Sequence, residues 1–108
     1  MAFVTYDVSL ELVRALRPLL EVLVTKDRDL ANQLRRAASS VTLNVNEGAE
    51  RRGGDKPHHF RIAFGSAKEV RAALDLAVAW GYLPDGRAEA AIALLDRLNR
   101  LLWGLTRR

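Results

Sequence analysis

Apolar and small residues recur every 3 or 4 positions through four stretches of this 108-residue chain, with charged residues between them. That period turns one face of a helix toward a core. The most regular stretch is QLRRAASSVTLNVNEG, in which Leu34, Ala38, Val41, Val45 and Gly48 step by 4, 3, 4 and 3. Small residues along this face let another backbone come close, so it reads as the central helix, from about Leu30 to Glu50. Asp27 or Asp29 is its expected cap, accepting from the free amides of the first turn. Val41, Thr42 and Val45 are β-branched and modest helix formers, so the helix depends on packing more than on propensity.

The other three stretches are less one-sided. The first predicted helix runs from Asp7 to about Lys26, with Val8, Leu12, Ala15, Leu19 and Val22 in one stripe and Leu10, Val13, Leu20 and Val24 in another. Pro18 removes a backbone hydrogen bond inside it, and because the apolar register continues across the proline a kink is expected there. The segment ERRGGD, Glu50 to Asp55, breaks the pattern. Asp55 then caps a third helix with Pro57 in its first turn, where a missing amide hydrogen is harmless. Phe60, Ala63, Ala67, Val70, Leu74, Ala77 and Gly81 form its main stripe, and Ile62, Ala73, Leu76 and Trp80 lie on the opposite side. Gly81 is the expected left-handed terminator. Pro84 or Asp85 opens the fourth helix, striped by Ala91, Leu95, Leu98, Leu102 and Leu105, with Trp103 facing elsewhere. Short connections between four helices imply one domain spanning residues 1–108: an all-α, antiparallel up-down-up-down four-helix bundle. Such a bundle buries one broad stripe per helix. The second faces of the first and third helices, with Leu43 and Trp103, are surplus and predict contacts between copies of the chain. Gly48 and Gly65 are both expected at close helix contacts.

Composition narrows the chemistry. With no cysteine, disulfides, thiolate metal sites and cysteine nucleophiles are excluded. Glu11, Arg14, Arg17 and Glu21 interrupt the most apolar run, which argues against a membrane span, and the start MAFVTYDV does not resemble a secretory signal. A cytoplasmic protein is the expectation. Seventeen basic against 13 acidic residues give a net charge of +4, which favours anionic partners in general.

The central block carries a resemblance. LRRAASSVTLNVNEG, followed after the basic loop by FRIAFGSAKEVRAALDLAVAWGYL, resembles the four-helix-bundle proteins of the 23S rRNA intervening-sequence family. The matching positions are Leu34 to Ala38, Asn44, Glu47, Gly48, Arg61 to Ala63, Gly65 to Ala67 and Gly81 to Leu83. Thr42 and Leu43 depart from the pattern, which has a proline and a small residue there. The resemblance implies a homopentameric ring. Accessory bundle proteins of diversity-generating retroelements share the fold, and the likeness extends the expected partners to RNA or DNA and a nucleic-acid enzyme such as a reverse transcriptase.

No catalytic, cofactor or metal set can be assembled from the residues. Gly48 to Gly54 imitates the glycine spacing of a phosphate loop, but Gly54 stands where lysine is needed and no strand precedes it. His58 and His59 are adjacent, whereas a helical metal pair needs a spacing of three or four. Ser39, Ser40 and Ser66 read as small packing residues. Asn44, Asn46 and Glu47 either line a pocket or central opening, or, as the favoured reading, satisfy helix ends or pair with Arg61. The candidate nucleic-acid contacts are two arginine groups: Arg35, Arg36, Arg51 and Arg52 beside the central block, and Arg97, Arg100, Arg107 and Arg108 on the last helix. No aromatic residues interleave with the first group, so binding there is expected to be electrostatic and indifferent to sequence. The alternative is a structural or protein-interaction bundle whose arginines are only a solvated face.

Overall fold

A single residue, Asp27, separates helix α1 (Ala2–Lys26) from helix α2 (Arg28–Glu50). In the computed structural model, which describes residues 2–50 and 55–107 without the side chains of Ala2, Asp55 and Lys56, helix α3 (Asp55–Ala79) and helix α4 (Glu89–Thr106) complete the chain. Asp27 makes so tight a reversal possible. Its Oδ1 accepts from the Leu30 amide at 3.0 Å, capping α2 while its own amide still bonds the Leu23 carbonyl of α1 at 2.8 Å. Asp27→Ala is therefore expected to cost about 1 kcal/mol, and Asp27→Asn, which keeps the acceptor, much less. Comparing thermal midpoints of the two variants checks this.

At the end of α3, the Tyr82 amide bonds the Ala77 carbonyl and the Gly81 amide bonds the Val78 carbonyl, each at 2.9 Å, with Gly81 at φ +80°. This paired capping pattern stops a helix on a left-handed residue. The fourth helix starts later than its sequence suggests. Neither Pro84 nor Asp85 opens it; the Arg87 amide closes a turn onto the Pro84 carbonyl at 3.1 Å. Gly86, at φ +83°, supplies the conformation that turn needs, and α4 begins at Glu89. The Asp27 carboxylate also lies beside Tyr82: desolvation, then that charge, then a hydrogen bond to it push the phenol above its ordinary range. The α1–α2 and α3–α4 turns thus meet at one end of the molecule, as an up-down-up-down chain requires.

The helices pack around a square: α1 on α2, α2 on α3, α3 on α4 and α4 on α1. The stripes of α2 and α4 are buried as their periods predict. In α3, Phe60, Ala63, Ala67, Val70, Leu74 and Ala77 are buried too; Ala73, placed on the far side by the sequence, is also buried, while Gly81 is exposed. α1 differs most. It begins at Ala2 rather than Asp7 and runs through Pro18 without ending or restarting. Leu16 and Leu23 enter the core, while Ala15 and Val22 are only half-buried. The core turns toward the bulkier leucines, which remove more apolar area from water than alanine or valine.

Of the two glycines expected at close contacts, only Gly48 is at one. A Cβ there would lie 2.7 Å from the Phe60 ring, whereas at Gly65 nothing comes within 4 Å. Among the described residues, no helix is long and apolar enough to cross a membrane.

Candidate interaction surfaces

α2 is tied to both of its neighbours through hydroxyls and amides. On the α1 side, the Thr42 hydroxyl donates to Ser9 Oγ at 3.0 Å, and Ser9 in turn donates to the Tyr6 carbonyl at 2.6 Å. Thr42 is the residue that departs from the family pattern; here it makes a cross-helix bond that proline could not. On the α3 side, Ser40 and Ser66 share a hydrogen bond at 2.8 Å. Asn44 donates to the Ser40 carbonyl at 2.9 Å, and its Oδ1 accepts from His59 Nδ1 at 3.2 Å. Asn44 thus ties α2 to its own preceding turn and to α3. The partner of Asn44 on α3, however, is His59 rather than Arg61, and Ser40 and Ser66 are bonded as well as packed. Asn46 is exposed.

Two grooves flank α2. A cleft of about 410 Å³ lies toward α3; Ala37, Ser40, Ser66 and Ala73 line it together with Gln33, Arg36, Glu69, Ala72 and Leu76. Toward α1, Val13, Arg17, Leu20 and Val24 line shallower grooves with Arg35, Ala38 and Ser39. Part of the surplus apolar surface, Val24 and Leu76, lines these two grooves, whereas Phe3, Leu43, Trp80 and Trp103 are not among the lining residues. Leu76 is 48% and Trp80 67% exposed on α3, and Val24 is 40% exposed on α1.

The fold does not bring the two arginine groups together. α2 and α4 occupy opposite corners of the square, each packed on α1 and α3. Arg35 and Arg36 are exposed on α2, where Arg35 donates to Asn32 Oδ1 at 2.7 Å. Arg51, Arg52 and Arg108 lie outside the described residues. Arg97 and Arg100 are exposed on α4, and Arg107 is exposed at its C-cap. Nearby, Arg71 of α3 spans Asp75 at 3.4 Å and Asp96 at 3.1 Å, so this arginine is already neutralised.

A cluster at the α3–α4 edge escaped the sequence reading. Trp103, 52% exposed, sits beside Phe64 with ring centroids 6.1 Å apart. The Arg107 guanidinium lies 5.1 Å over the Trp103 ring, and Lys68 Nζ lies 4.7 Å over Phe64. Cation, ring, ring and cation thus follow one another across two helices, each charge attracted to an aromatic face. The only sequence signal for it was Trp103 lying off its helix stripe.

Relatives fix the lineage. The model of the family described as 23S rRNA-intervening sequence protein matches residues 3–104. The chain belongs to that family. A crystal structure of a protein of unknown function from the S23 ribosomal protein family of Bacteroides thetaiotaomicron superposes with a TM-score of 0.85. It is 24% identical in sequence, with 96% of this chain and 99% of that one covered, so it supports the bundle fold alone. No curated protein matches this sequence. Membership in the 23S rRNA intervening-sequence family establishes descent and a fold; the family description carries no activity that would assign a role to any residue.

Proposed function

We propose that this bundle is a non-enzymatic adaptor that assembles with copies of itself and holds RNA or DNA, or a nucleic-acid enzyme working on them, against its arginine-bearing surfaces. Five copies is the expected number and the cytoplasm the expected place. The observation that carries the nucleic-acid part is the Lys68–Phe64–Trp103–Arg107 cluster, on the edge of the helix that also carries the exposed Arg97 and Arg100. Single strands are held by cations that follow the backbone and by rings on which bases stack. An exposed indole with two arginines on the same helix and a third at its C-cap supplies both, and neither needs a particular base. Repetition around an oligomer would turn weak sites into tight binding through effective concentration. Arg71, bound to two aspartates, favours the competing reading of a purely structural or protein-interaction bundle, since a paired arginine offers little to phosphate.

A mobility-shift titration with mixed-sequence single-stranded RNA at low salt tests the proposal. A shift by the wild type is expected, and Trp103→Ala should weaken it by about 1–3 kcal/mol, the worth of one stacked base. No shift by the folded wild type with either RNA or DNA would overturn it in favour of the structural bundle.

A further inference from the structure

Two different faces of the bundle carry unburied apolar side chains. One lies along α1 at its groove with α2, the other along α3 at its own groove with α2. A two-fold dimer needs one self-complementary patch, whereas two unlike patches make head-to-tail contacts that close into a ring. Resting on the reading that this chain self-associates, we propose that the α1 stripe of one copy packs in parallel along the α3 stripe of the next, in a register set by Arg17 opposite Glu69.

Charge and size fix that register. Arg17 sits in the middle of the α1 stripe, with Glu21 beside the groove one turn further on, and Glu69 is the α3 charge in the middle of the α3 stripe. Arg17 and Glu69 are both exposed, and among the described residues neither is in an ion pair. With those two opposite each other, the positions on either side follow from the common helical rise. Val13 meets Gly65 and Leu20 meets Ala72, a large side chain against a small one in each case. Gly65, whose missing side chain leaves open space in the isolated bundle, becomes the hole for a valine. Further out, Val24 reaches Leu76, which closes aliphatic over aliphatic.

The direction is fixed by symmetry. Helices α1 and α3 run the same way in an up-down-up-down bundle, and rotation about an axis along the bundle preserves their directions. Neighbouring copies must then pair α1 and α3 in parallel. α2 lies between the two faces, so closing the ring turns it toward the axis and gathers Arg35 and Arg36 from every copy there. Faces at about a right angle suit a ring of few members.

Light scattering and sedimentation on the full chain read the outcome. Arg17→Glu and Glu69→Arg should each weaken assembly by about tenfold or more, and the double swap should restore it. Gly65→Phe, at an exposed position where an added Cβ meets nothing within 4 Å in the isolated bundle, should give a folded monomer by circular dichroism. The chain has no cysteine of its own, so V13C/G65C in one chain should give a disulfide-linked ladder of subunits on a non-reducing gel. A monomeric wild type would overturn the self-association reading itself. A wild-type oligomer that is indifferent to the swaps, to Gly65→Phe and to the cysteine pair would leave self-association standing and overturn this interface alone.

Discussion

Gly48→Leu is expected to lower stability by about 3 kcal/mol, at the upper end for an overpacked core. The new Cβ would lie 2.7 to 3.0 Å from three atoms of the Phe60 ring, closer than carbon atoms tolerate. Phe60 has little room to yield, because it is almost wholly buried and is among the largest side chains in the core. Gly48 is also near the end of α2, so the strain would fall on the contact between α2 and the start of α3. For a domain of this size, about 3 kcal/mol is a fall of more than about 10 °C in thermal midpoint. Combining Gly48→Leu with Phe60→Leu should recover part of it, because the ring is the atom group in the way. Gly65→Leu is the comparison. In a monomeric background such as Arg17→Glu it should leave the midpoint unchanged or raise it, since a Cβ there meets nothing within 4 Å and leucine is the better helix former. Equal losses at both glycines in that monomeric background would refute the packing described for α2 against α3.

The second large effect is on salt dependence. Each phosphate contact on a single strand contributes ~0.7 to the slope of log affinity against log salt through release of counterions. Replacing Arg97, Arg100, Arg107 and Arg108 by glutamine should therefore lower the slope by up to about 3 and the low-salt affinity by at least about tenfold. The same replacement of Arg35, Arg36, Arg51 and Arg52 provides the comparison. α2 and α4 stand at opposite corners, so the described members of the two sets lie on separate surfaces, and the effects of the two replacements should add. Loss of the slope with the first set alone would place the strand at the α3–α4 edge beside Trp103. Loss with the second set alone would move it to α2. Neither variant should unfold the bundle, because the five arginines of these sets at described positions, Arg35, Arg36, Arg97, Arg100 and Arg107, are all exposed.

The arrangement of four helices, their approximate lengths and three of the four core stripes, that of α3 apart from Gly81 and Ala73, were legible in the sequence. The reason is local. In α2 and α4 apolar residues occupy one face only, so the period names the buried side without reference to anything else. The glycine cap of α3 was legible for the same kind of reason, since Gly81 ends an apolar period and tolerates a left-handed φ. α1 and α3 carry apolar residues on two sides; the longer stripe named the buried side of α3, but in α1 the two stripes are alike in length and periodicity does not rank them. Only the approach of α2 and α4 selected Leu16 and Leu23 over Ala15 and Val22, and drew Ala73 inside. The two glycines looked alike along the chain, and the position of Phe60 made one of them a contact and left the other open. Asn44 found His59, 15 residues on, and Trp103 found Phe64 and Arg107 across a helix boundary and within its own last turns. Such pairs depend on the relative height and rotation of packed helices. That is a property of how the side chains interlock in three dimensions, and no single helix contains it.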